Sequence, residues 1–114
     1  MDIVCKQIEL NNAIQLVNRA VATRPTHPIL SNLLVTADEV TNKISLTGFD
    51  LNLGIQTSFD ANVSQSGAIT IPSRLLSEIV SKLPNESPVS LTVEELSDNI
   101  LLKSERGSFN IKGI

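Results

Sequence analysis

The sequence predicts an α+β domain built from one βαβββ unit used twice. Three observations lead there. The 114-residue chain repeats one layout, first over about residues 1–58 and then over about 67–114: an edge-like strand, an amphipathic helix and three short alternating strands. Each helical stretch carries a single apolar stripe, the mark of a helix that lays one side on a sheet. The 41% hydrophobic content comes mainly from Ile, Leu and Val, with three Phe and no Trp or Tyr, a stock of aliphatic and β-branched residues that favours strands. A chain of this length forms one domain, and folding hides roughly two thirds of its unfolded surface, enough for one core.

The elements follow in order. Met1–Lys6 alternates as a strand, and Cys5 within it is read as a small core residue; a single cysteine forms no internal disulfide. The helix Gln7–Val21 comes next, with Leu10, Ala13, Ile14, Val17, Ala20 and Val21 on its buried stripe and Asn11, Asn12, Gln15, Asn18 and Arg19 facing away. Solvated helix faces ordinarily use Glu and Lys pairs, worth about 0.2–0.5 kcal/mol each. Amides and hydroxyls with a few cations instead suit a face that meets phosphates through water. The loop that begins at Thr23 is stiffened by Pro25 and Pro28 and delivers the chain into a strand by Val35, with Arg24 held extended because it precedes a proline. Ile44–Ile55 reads as a strand, a turn at Gly48–Asp50 and a further strand. Gly67–Ile71 is the first strand of the second unit and leads into the helix Ser73–Leu83, bounded by Pro72 and Pro84. Leu75, Leu76, Ile79, Val80 and Leu83 form its apolar stripe, opposite one row of Ser73, Ser77 and Ser81 and another of Arg74, Glu78 and Lys82. The final strand covers about Gly107–Lys112.

The formal net charge of −3 is unevenly spread. Over residues 6–24 and 73–82, five cations (Lys6, Arg19, Arg24, Arg74, Lys82) face two carboxylates, Glu9 and Glu78, while the remainder holds four cations and ten carboxylates. A molecule positive along its helices and negative elsewhere draws a polyanion to one face. The function classes that need an activated group are poorly served. His27, the sole histidine, sits between Thr26 and Pro28 with no adjacent nucleophile, and Glu94 and Glu95 fall in an expected hairpin turn. No glycine-rich phosphate loop or Cys/His metal spacing occurs, so no catalytic residue, metal or cofactor is expected. No apolar run reaches the length of a signal segment or a membrane span, which points to the cytoplasm and to no membrane partner.

The runs Arg24-Pro-Thr-His-Pro-Ile-Leu, Leu46-Thr-Gly-Phe-Asp-Leu and Gly67-Ala-Ile-Thr-Ile-Pro-Ser-Arg-Leu-Leu, followed by Leu83-Pro, closely resemble the first domain of the bacterial DNA polymerase III beta subunit, the sliding clamp. The resemblance covers essentially the whole chain. It implies the DNA-clamp fold, with two helices packed on curved antiparallel sheets, and residues 1–114 as the first of three domains in a protomer. Two such protomers close a ring around duplex DNA, helices inward, as a non-catalytic processivity factor for DNA replication. The DNA polymerase and the clamp loader are further partners, reached through domains absent from this chain.

Site residues carry over where the motifs match. Arg24 and Arg74 match DNA-backbone contacts, and Lys82 is added to them by helical geometry. The final strand resembles the edge that pairs with the second protomer, with Phe109 and Ile111 as apolar contacts, Arg106 as a rim cation and Ser108 where some clamps carry a second cation. Leu75 likewise stands where a lysine can follow Arg74. The competing class is a protein-interaction adapter of clamp-like fold that does not bind DNA.

Overall fold

A computed structural model describes residues 1–19, 32–49, 54–84, 87–94, 97–105 and 107–112. Alternation builds the first strand, β1 (Asp2–Lys6): Ile3 and Cys5 point into the core while Val4 and Lys6 point out. It passes directly into α1 (Gln7–Val17), whose entry has no side-chain cap. The Gln7 N–H donates instead to the Ser87 carbonyl at 3.1 Å, which satisfies one of the amides that a helix start leaves free. The turn beyond Val17 tightens, with Arg19 N–H donating to Leu16 O at 3.4 Å. The α-helix thus closes short of the expected Val21, and Ala20 and Val21 lie outside the described residues.

Three antiparallel strands follow, β2 (Asn32–Asp38), β3 (Lys43–Phe49) and β4 (Gly54–Asp60). A fourth, β5 (Asn62–Gln65), was not expected; Val63 is its only apolar residue, too little for a period-2 pattern. The second unit is β6 (Gly67–Pro72), α2 (Ser73–Ser81), β7 (Pro88–Val93), β8 (Asn99–Ser104) and β9 (Gly107–Lys112). Here too the expected helix end at Leu83 is resolved into a tighter turn, with Lys82 N–H on Ile79 O and Leu83 N–H on Val80 O. Asn42 and Asp98 lead into β3 and β8 with φ of 54°, a left-handed conformation that Asn and Asp tolerate best among non-glycine residues.

Pairing divides these strands between two sheets, in the orders β5-β1-β7-β8-β9 and β4-β3-β2-β6. The two units therefore exchange their first strands. β1 pairs with β7 of the second unit, and β6 pairs with β2 of the first. The chain changes sheets between β5 and β6, where Ser66 Oγ accepts the Glu39 N–H at 2.7 Å. A Cβ on Gly67 would stand 2.8 Å from Met1 Cβ, so only glycine fits at this crossing. Gly67→Ala is expected to cost about 1–3 kcal/mol, read as a lower midpoint in a urea melt.

Ile3, Leu33, Ile44, Leu46, Ile71, Leu91, Ile100 and Leu102 from the strands and Leu10, Ile14, Leu76 and Val80 from the helices fill one core, all fully buried. Cys5 belongs to it. Burial, with a contribution from the Glu9 charge, raises its thiol pKa from 9.0 to about 12. The unfolded chain ionises this thiol first, so stability is expected to hold below pH 9 and to fall between pH 9 and about 12 by up to about 1.4 kcal/mol per unit. Alkylation of Cys5 at pH 8 should correspondingly be slow in the folded protein and fast in denaturant; equal rates would contradict its burial.

Candidate nucleic-acid interface

The repeat is clearest in the helices. Aligning Gln7 with Ser73 brings buried residues onto buried ones (Leu10 with Leu76, Ile14 with Val80, Val17 with Leu83) and exposed residues onto exposed ones (Ile8 with Arg74, Asn12 with Glu78, Gln15 with Ser81, Leu16 with Lys82). The helices lie side by side on the sheets. Their seam is polar: Gln15 Nε2 donates to Ser77 Oγ at 3.2 Å, Ser73 Oγ donates to Asn18 Oδ1, and Gln7 Nε2 donates to Val80 O at 2.7 Å.

This seam corrects the expected outer faces. Asn18 is half-buried, Ser73 buried and Ser77 half-buried, and their hydrogen bonds turn them to the neighbouring helix rather than to solvent; Asn11 is half-buried as well, with its Oδ1 covered. Of the amides assigned to the outside of α1, Asn12 and Gln15 remain exposed, and Gln15 already spends its N–H on Ser77. A helical wheel separates buried from unburied positions but does not distinguish a flank covered by a second helix from one open to water.

The open face of α2 is cationic. Arg74, Glu78 and Lys82 are all exposed, one turn apart, and among the described residues neither Arg74 nor Lys82 is in an ion pair. Arg24 lies outside the described residues, as does His27. Lys82 has a second neighbour: with Glu78, Ile79, Leu83 and Phe109 it lines a cleft of about 340 Å³ between the end of α2 and β9.

That cleft adjoins a strand edge. Among the described residues β9 is the last strand of its sheet and pairs on one side only, with β8. The register sets Phe109 beside Leu102 and Ile111 beside Ile100, so both side chains point to the helix-covered face. Their fates differ: Phe109 is 37% exposed at the cleft and Ile111 only 3% exposed. The expectation of Ile111 as a surface contact is therefore corrected. Its side chain belongs to the domain's own core, and only its backbone lies on the edge. Ser108 is exposed, and Arg106 lies outside the described residues. Sequence inspection missed Ile79 and Leu83 as part of this edge, because their spacing marks them only as helix core.

Residues 1–114 match, over the whole chain, the family described as DNA polymerase III beta subunit, N-terminal domain. The chain belongs to this family. It is 51% identical over 114 residues to the beta sliding clamp of Synechococcus elongatus and 46% identical over 119 aligned residues to that of Synechocystis; each alignment takes in 100% of this chain and 30% of the relative. The chain thus spans 30% of the length of these relatives. Among solved structures it is similar to the Caulobacter crescentus DNA polymerase sliding clamp, with a TM-score of 0.92 at 32% identity, again covering 100% of this chain and 30% of the other. The Pseudomonas aeruginosa DNA polymerase III subunit beta superposes with a TM-score of 0.91 at 31% identity. The family's α+β fold of two helices on two antiparallel sheets is the fold described above. Among the described residues, no group of three or more His, Cys, Asp or Glu is placed to hold a metal ion, and no helix is long and apolar enough to cross a membrane.

Proposed function

We propose that this chain acts as the first domain of a DNA sliding clamp, a non-catalytic processivity factor of the cytoplasmic replication machinery. Two protomers of three such domains form the ring, and the helices face the duplex inside it. The observation that carries this reading is the pair of exposed cations Arg74 and Lys82 along and just beyond α2, in no ion pair among the described residues, on a fold shared with sliding clamps. Arg74, Lys82 and Arg24 touch phosphates and read no base sequence. A closed ring holds its duplex by topology, so a few weak contacts suffice and the ring stays free to slide. The DNA polymerase and the clamp loader engage other domains of the same ring.

The β9 edge closes the ring onto the second protomer. Unpaired backbone groups offer a partner strand its hydrogen bonds, while the cleft beside Phe109 offers that strand one apolar pocket. Arg106 serves as a rim cation of that contact, Ser108 is exposed beside it in sequence, and Ile111 contributes through its backbone.

Arg74→Ala is expected to weaken duplex binding without unfolding the domain, since the side chain is exposed. Each lost phosphate contact lowers the slope of log K against log salt by about 0.9. A salt titration of binding to a 30-base-pair duplex measures it. An unchanged slope in both Arg74→Ala and Lys82→Ala would remove α2 from the DNA interface and favour the adapter reading.

A further inference from the structure

The internal repeat shows what the two helices do not share. Where α2 presents Arg74, α1 presents Ile8, 45% exposed; where α2 is followed by Lys82, α1 has Leu16, 40% exposed. Neither apolar side chain belongs to the core. The only charged residue within α1 is Glu9, and the exposed cations beside it, Lys6 and Arg19, fall at its two ends and not at the positions equivalent to Arg74 and Lys82. Two helices of matching burial thus differ in charge at the two outward positions that a cation would use.

We infer that Ile8 and Leu16 limit the grip of this domain on a duplex, confining the charged helix–phosphate contacts to α2 and leaving α1, whose exposed polar residues are Asn12, Gln15 and Glu9, as a flank without cations along which the backbone passes. This rests on the clamp reading above and adds to it which helix holds the DNA. The physical case is one of number. Phosphate contacts multiply affinity through counterion release, so two further cations at equivalent positions would make the domain bind more tightly and with more salt dependence. A sliding protein gains from few contacts, since each must break for the ring to advance. Hydrophobic residues serve this better than amides, which can themselves donate to phosphate oxygens.

The test adds the cations. Ile8→Lys combined with Leu16→Lys is compared with the unaltered chain, with Ile8→Gln combined with Leu16→Gln, and with Arg74→Ala combined with Lys82→Ala, in salt titrations on the same 30-base-pair duplex. The lysine variant should steepen the slope of log K against log salt by about 1.8, so that its affinity falls about tenfold more than the unaltered chain's between 50 and 200 mM salt. The glutamine variant should leave the slope unchanged. An unaltered slope in the lysine variant, with a lowered one in the Arg74 and Lys82 variant, overturns the inference and leaves the clamp reading intact. No change in either variant overturns that reading itself. A glutamine variant that behaves like the lysine one overturns the inference by showing that polarity, and not charge, was withheld. Circular dichroism establishes that each variant folds, and the single Ile8→Lys, with half the expected change in slope, replaces the double if it does not.

Discussion

Expressed separately, residues 1–60 and 61–114 are expected to stay unfolded and to fold when mixed. The cause is the exchange of first strands. In the piece 1–60, β1 has neither of its neighbours, because β5 and β7 both belong to the other piece. In the piece 61–114, β6 lacks β2. Each piece also keeps a helix that loses its seam with the other, together with the three side-chain hydrogen bonds across it. Chains of about 60 residues already bury only about 60% of their unfolded surface, so neither half has stability in reserve. On mixing, each β1 and β6 regains its sheet and one core re-forms. Circular dichroism of the mixture should exceed the sum of the separate spectra, and the two pieces should co-elute on size exclusion. Cooperative thermal unfolding of either piece alone would show that the exchange is not required.

If β9 closes the ring as proposed, Phe109→Asp is expected to weaken association through this strand strongly while leaving the domain folded. The side chain is 37% exposed at the cleft lined by Ile79 and Leu83, so its removal opens no interior cavity. The new carboxylate stands near Glu78 and faces any incoming apolar residue, where burying it without a partner is costly. Central aromatic contacts of an interface are worth about 2–4 kcal/mol, so in the proposed three-domain protomer dimerisation should weaken roughly 30- to 1000-fold. Sedimentation velocity across a dilution series measures this. Retention of the dimer at the unaltered concentration would place the interface elsewhere; for example, β4 is also the outermost strand of its sheet.

Much of this architecture was legible beforehand for definite reasons. Gly67 and Pro72 marked the two ends of β6, and Leu10, Ala13, Ile14 and Val17 of one expected stripe and Leu76, Val80 and Leu83 of the other are buried, because a 3.6-residue period leaves its trace in sequence; Leu75, expected on the second stripe, is instead 41% exposed, at the margin of the packed side. The outward placement of Arg74 and Lys82 followed from the same period. β5 left no such trace, being held by backbone pairing with β1 and by the Asn42 side chain, which accepts the Val63 N–H at 3.3 Å. Ile111 was misplaced because alternation sets it on the same face as Phe109, and only the packing above that face leaves one covered and the other half open.

The sequence by itself determined the order of the elements other than β5, the two-fold repeat, the family and the outward placement of Arg74 and Lys82, since each depends on residues near one another along the chain. The tertiary structure alone decided that β1 and β6 change places between the units and that Asn18 and Gln15 spend themselves on Ser73 and Ser77. Backbone hydrogen bonds are alike for every strand, so the choice of neighbour carries no local signature. A polar side chain similarly shows in sequence that it wants a partner, and the fold decides whether that partner is water, DNA or the adjacent helix.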